Sequence, residues 1–174
     1  MQNMNNIKVA SLSKTNVMVI AQFAILLAIA AGLPALVHVQ AVTGPIVNAT
    51  LFLAVALLGV QSALVIGLIP SVIALSVGLL PSPLAPMVPF IMLSNAILVI
   101  TFAQLKEKNF WFAIASASIL KFLFLFSTSF LITRLIANKQ IAQKAASLLS
   151  WPQLVTALAG GIIAYLILKI IKRS

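Results

Sequence analysis

The sequence contains no cysteine, one acidic residue (Glu107) and one histidine (His38), and only 7% of its 174 residues are charged. The absence of cysteine excludes a disulfide framework and any thiolate metal site. A soluble domain carries about 25% charged residues, so this chain has too few polar side chains to cover a water-exposed surface. With 63% hydrophobic residues, it is also unsuited to disorder. The composition predicts an integral membrane protein.

The same scarcity argues against catalysis. Acid–base chemistry, nucleophilic chemistry and metal binding each need several acidic, histidine or cysteine side chains close together. Glu107 lies in a Lys-Glu-Lys loop that the span assignment below places on the cytoplasmic side, whereas His38 falls on the outer side. No glycine-rich phosphate-binding motif is present. We therefore expect no enzymatic activity, no cofactor and no metal site.

The apolar stretches can be divided into six membrane spans within a single transmembrane domain, 1–174. A transmembrane helix needs about 20 mostly apolar residues. The uncharged stretch 46–80 is too long for one span and short for two, and Gly59, Gln61 and Ser62 mark a turn near its middle. The predicted fold is an all-α six-helix membrane bundle with spans at 17–37, 46–60, 63–80, 87–105, 110–132 and 152–171.

The basic residues indicate how this bundle is oriented. The net charge is +10, but the lysines and arginines occur in short clusters between apolar runs, which is typical of orientation determinants rather than of a nucleic-acid-binding surface. With six spans and a cytoplasmic N-terminus, seven of the eleven basic residues lie on the cytoplasmic side. Five spans would abolish this asymmetry. The positive-inside rule therefore predicts six spans, both termini cytoplasmic, and no nucleic-acid partner.

Lys121 is the most informative polar residue, because it falls midway along the fifth predicted span. A lysine at that depth costs about 2.5–3.5 kcal/mol on insertion scales, so it should face a polar cavity or a partner. One interpretation is a cation for an anionic substrate group. The other is a lysine that snorkels to the interface or is satisfied by carbonyls and hydroxyls.

Five further residues are candidates for substrate contact. Asn48 and Asn95 lie in the outer parts of the second and fourth spans, where each either bonds a ligand or joins helices. His38 and Gln40 lie in the first outer loop, and Gln153 opens the last span at a similar depth. A solvated role is the alternative for these three.

A row of small residues marks one face of the first span. Ala24, Ala28 and Gly32 recur every four residues, a spacing that lets another helix approach closely. The partner helix belongs either to another protein or to this bundle.

Several segments resemble the S components, the substrate-capture subunits, of energy-coupling factor (ECF) transporters. The first span with its Ala-xxx-Ala row is followed by Thr-Gly-Pro-Ile-Val-Asn-Ala at 43–49, and a proline-rich region leads into Pro-Phe-Ile-Met-Leu-Ser-Asn-Ala at 89–96. The likeness extends from about residue 15 to 171 and includes Lys-Phe-Leu-Phe at 121–124 and Ser-Trp-Pro-Gln-Leu at 150–154.

This resemblance implies a multi-pass protein of the bacterial plasma membrane that binds a vitamin or related micronutrient near the outer face. Its partners would be a transmembrane T component, met by the row Ala24, Ala28 and Gly32, and two cytoplasmic ATPases. The first outer loop, 38–45, would act as a lid. The outer halves of the last three spans would form the pocket and contribute Asn95, Lys121 and Gln153.

The substrate subgroup is not identified by any residue set in the chain. Without an acid in the pocket, a cationic substrate lacks its partner, and one histidine without cysteine provides too few ligands for nickel or cobalt. A neutral or anionic organic molecule suits Lys121 better. Two alternatives remain open: a stand-alone small solute carrier or channel, and a membrane scaffold subunit that binds no small molecule.

Overall fold

A computed structural model describes residues 14–37, 39–76, 82–135 and 138–171, and this part of the chain is helical apart from short connections. A 3-10 helix, Ser82–Met87, precedes the fourth α-helix. The α-helices are α1 (Lys14–Leu36), α2 (Gln40–Leu58), α3 (Val60–Ser76), α4 (Val88–Leu105), α5 (Phe110–Leu135), α6 (Lys139–Leu148) and α7 (Trp151–Ile171).

Five of the described helices, α1, α2, α4, α5 and α7, are long and apolar enough to cross a membrane. They carry large apolar side chains on their outer surfaces, including Met18, Phe112 and Ile162, which are 63%, 60% and 49% exposed. Apolar residues on both the buried and the exposed faces are typical of helices in lipid. The chain is therefore an all-helical, multi-pass membrane protein. Helix α3 has 17 residues, about 25 Å, so the count of six spans stays a prediction.

Helix α2 lies at the centre of the bundle, where it packs against α1, α3, α4 and α7. Its residues 48–55 are all buried, so this part of the helix has no lipid-facing side. Helix α4 packs between α3 and α5, and α5 in turn packs against α7. Helix α1 is peripheral, because Leu26 and Ala30 are the buried residues among its described side chains. Polar residues on α2 must therefore find partners inside the protein.

Helices α2 and α7 approach each other at glycines. A Cβ on Gly160 would lie 2.7 Å from both Asn48 Cβ and Pro45 O, and a Cβ on Gly44 would lie 2.8 Å from Thr156 Cγ2. Small residues allow backbones to come this close, which is how membrane helices gain packing energy without a hydrophobic effect between them.

The end of α2, the turn between α4 and α5 and the end of α7 lie together at one end of the bundle, where they line a common groove. At this end a chain of aromatic side chains closes the interior. Phe102 contacts Phe52 and Phe110 edge-to-face at centroid distances of 4.8 and 5.3 Å. Phe110 and Trp111 extend the chain to Tyr165. Which end faces the cytoplasm stays a prediction.

Three boundaries differ from those predicted from sequence. Helix α2 begins at Gln40 instead of 46 and includes Pro45 as its sixth residue, where the missing N–H leaves the carbonyl of Ala41 without its intrahelical donor. Gly59 alone joins α2 to α3, with φ of 85°, and α3 already begins at Val60. The proline-rich region before α4 includes the 3-10 helix Ser82–Met87.

Candidate ligand-binding cavity

A cavity of about 340 Å³ lies between the helices at the end of the bundle opposite the aromatic chain. It is lined by the last turns of α1, the first turns of α2, α4 and α7, and residues from the middle of α3 and α5. Its volume is at the lower end of the range for small-molecule pockets. The position corresponds to the outer half of the bundle in the orientation predicted from charge.

Lys121 lines this cavity from α5 although its side chain is only 4% exposed. Its Nζ donates a hydrogen bond of 2.7 Å to Asn48 Oδ1 and one of 2.8 Å to Asn95 Oδ1. These are the lengths of charge-assisted hydrogen bonds. The lysine therefore neither snorkels to the interface nor pairs with an acid; two amide oxygens from neighbouring helices hold it.

The orientation of both amides is set by their nitrogens. Asn48 Nδ2 donates to Gly44 O at 2.9 Å within α2, and Asn95 Nδ2 donates to Gly67 O at 2.9 Å across to α3. Flipping either amide would place an NH2 group against the lysine and an oxygen against a carbonyl, so the hydrogen-bond pattern determines which atom is oxygen. This polar network ties α2, α3, α4 and α5 together beneath the cavity.

Glycine at position 67 gives the network room. A Cβ there would meet Asn95 Cβ and Leu51 Cδ2, both at 3.3 Å, so those side chains would have to shift by a few tenths of an ångström. Pro70 lies one turn further along α3 and cannot donate to the carbonyl of Ile66. In the same way, Pro34 cannot donate to the carbonyl of Ala30 in α1. Both prolines and both residues whose carbonyls they leave without a donor line the cavity.

The upper walls of the cavity are mainly apolar, with polar side chains near its mouth. Val47, Met87, Ile91 and Leu149 are among the apolar lining residues, and Gln40 and Gln153 are among the polar ones. An apolar body with a few fixed polar groups is the usual composition of a small-molecule site.

Five of the six predicted substrate-binding residues line this one cavity; the sixth, His38, lies outside the described residues. The five are Gln40, Asn48, Asn95, Lys121 and Gln153. Helices α2, α4, α5 and α7 each bring at least one of them. That they contact a substrate stays a prediction. Gln40 belongs to the first turn of α2 rather than to a loop, so most of the predicted lid, 38–45, is helix.

The small-residue row of α1 faces away from the bundle. Ala24 and Ala28 are exposed and Gly32 is half-buried, and a Cβ added to Gly32 would meet nothing within 4 Å. Ala24 and Ala28 are therefore not buried against other described helices. Close packing uses Gly44, Gly160 and Gly161 instead. A Cβ on Gly161 would collide with Ile114 of α5; the Gly-Gly pair inside an apolar helix was the sequence signal for it.

No group of three His, Cys, Asp or Glu side chains that could hold a metal occurs in the described parts of the chain. Comparisons with protein-family models, with curated proteins and with solved structures found no match. The resemblance to S components therefore depends on the sequence segments alone.

Proposed function

We propose that this chain is the substrate-capture S component of an ECF-type importer. In this function a vitamin or related micronutrient, neutral or anionic, enters the cavity from outside the cell. The main support is that Asn48, Asn95 and Lys121, which are distant in sequence, meet at the floor of one cavity of suitable volume. A buried cation costs free energy, so its position beside a cavity favours a ligand-binding role over a scaffold.

The predicted orientation fits this role. With six spans and both termini cytoplasmic, the mouth of the cavity opens to the outer side of the bacterial plasma membrane, and Lys106 and Lys108 lie on the cytoplasmic side. The aromatic chain Phe52–Phe102–Phe110 then closes the path to the cytoplasm. Release inward needs a larger rearrangement, which the T component and two ATPases would drive. The chain itself contributes no catalytic step.

The exposed row Ala24, Ala28 and Gly32 is the proposed contact with the T component. Small side chains on a lipid-facing surface give a partner helix room for close backbone approach. Helix α1 packs Leu26 and Ala30 into the core and presents Ala24 and Ala28 on its exposed side.

Native mass spectrometry of gently purified protein is the first test. A bound organic molecule in one-to-one ratio supports capture and identifies the substrate. Co-expression with the T component and ATPases of the same organism is the second test. We expect Ala28→Trp to lose co-purification, whereas Ile162→Trp, at an exposed position on α7, should retain it. Uptake by this chain alone would favour a carrier. The absence of both a bound molecule and a co-purified T component would favour a scaffold.

A further inference from the structure

One ionisable side chain, which is basic, is among the described residues that line the cavity. Lys121 is the charged side chain among the residues that line it. The single acid of the sequence, Glu107, is hydrogen-bonded to Lys106 Nζ at 2.6 Å in the turn between α4 and α5, at the other end of the bundle. No carboxylate of this chain can therefore neutralise the charge of Lys121.

The groups around Lys121 compensate its charge only in part. Both amide oxygens point to Nζ, and both amide nitrogens are turned away to the carbonyls of Gly44 and Gly67. Amide dipoles stabilise a buried cation less than a counter-ion does. The described residues thus orient two acceptors toward Lys121 and supply no counter-ion for it.

The geometry leaves one donor for a ligand. An ammonium group has three N–H donors, and the described residues accept two of them, at Asn48 and Asn95. Because Lys121 also lines the cavity, a ligand oxygen can accept the third hydrogen bond without displacing either asparagine. Binding an anion therefore costs none of the contacts that join α2, α4 and α5.

The rest of the cavity limits what accompanies the anionic group. Apolar side chains such as Val47, Ile66, Ile91 and Leu149 form the walls, and no second cation is among the lining residues. A dianion would bring one unpaired charge into this apolar space, at high cost. A volume of about 340 Å³ accommodates a compact molecule.

We infer that Lys121 is an anion subsite, which takes one carboxylate-class group of a compact, largely apolar organic acid. This inference rests on the proposed capture function and narrows its substrate class from neutral or anionic to monoanionic. The carboxylate would accept the third N–H of Lys121 at the floor, with the apolar body between α2, α3 and α4 toward the mouth.

Matched probes separate charge from shape. Phenylacetate, phenylacetamide and phenethylamine have similar volumes but are anionic, neutral and cationic. We would measure binding as a thermal shift of purified protein in a non-ionic maltoside detergent. We expect phenylacetate to bind at least about tenfold more tightly than the amide, because a desolvated charge pair outweighs a neutral hydrogen bond. The amine should not bind, because like charges repel in a low-dielectric site.

Three variants assign the preference to the charge of the site. Lys121→Met should abolish the difference between phenylacetate and phenylacetamide, and Lys121→Arg should retain it. Asn48→Asp keeps the lysine and its hydrogen-bond acceptor but supplies a carboxylate, so it should also abolish the preference for the acid. Lys169→Met, exposed at the opposite end of the bundle, is the matched control and should bind as wild type does. If Lys121→Met does not fold, the comparison of phenylacetate with phenylacetamide is made on Asn48→Asp.

Each outcome bears on the inference. Equal binding of acid and amide, or no stabilisation by phenylacetate, overturns the anion subsite and leaves Lys121 as a helix-joining residue. A neutral co-purified molecule also overturns it but retains the capture function. A preference for the acid, together with no co-purification of the T component and ATPases, supports the subsite and rejects the importer. A long-chain fatty acid that co-purifies with the protein supports carboxylate binding, but it identifies the bilayer as the source and overturns the compact ligand.

Discussion

Replacing Gly160 by alanine tests how closely α2 and α7 must approach for the site to form. The added Cβ would lie 2.7 Å from Pro45 O and 2.8 Å from Ala49 N. Both atoms belong to backbone, which cannot rotate away as a side chain end can. The two helices must therefore separate by several tenths of an ångström, and Asn48 moves with α2.

The expected cost follows from overpacking. Forcing extra atoms into a packed interior costs about 1–3 kcal/mol, offset by up to about 1 kcal/mol because alanine favours a helix more than glycine does. A net loss of about 1–2 kcal/mol corresponds to a melting temperature roughly 2–8 °C lower for a chain of this size. The 2.7 Å bond from Lys121 to Asn48 should lengthen as well, so phenylacetate binding should weaken.

Intrinsic fluorescence of Trp111 and Trp151 during heating measures this change without a cysteine label. Gly32→Ala is the matched control, because a Cβ there meets nothing within 4 Å; it should leave the melting temperature unchanged or raise it slightly. If Gly160→Ala melts and binds as wild type does, the close α2–α7 contact is not what holds Asn48 in place, and the reasoning is refuted.

Three further changes have distinct expected results. Asn95→Leu removes an acceptor from Lys121 and the donor to Gly67 O, so it should lower the free energy of unfolding by about 1–3 kcal/mol in the same melting assay. Ser118→Ala should raise it by up to about 1 kcal/mol, because the Ser118 hydroxyl is buried and no described group bonds it; a loss of stability would show that the hydroxyl is satisfied. Glu107→Gln should change it by less than about 1 kcal/mol, because its ion pair with Lys106 is exposed and screened by salt; a larger loss would contradict a surface role for this pair.

The sequence by itself determined the class of the protein and the position of its chemistry. Scarce charge and long apolar runs leave only a helical membrane protein, because the backbone in lipid must satisfy its own hydrogen bonds. Lys121 could be singled out for the same reason: a charge at that depth is too costly to be incidental. Asn48 and Asn95 drew attention as amides in otherwise apolar helices, although helix pairing and ligand contact could not be distinguished from spacing alone.

Only the tertiary structure decided what these residues do for one another. Lys121 lies 26 residues from Asn95 and 73 from Asn48 in the chain, and no local pattern encodes which faces of three helices converge. The outward direction of the Ala24–Ala28 row was likewise undetermined, because a small-xxx-small spacing has the same form at an internal and an external contact. The positions of the helices along the chain follow from local sequence. The meeting of Lys121, Asn48 and Asn95 depends instead on the close approach of helices at Gly44, Gly67 and Gly160, where the packing of all the helices together sets the distances.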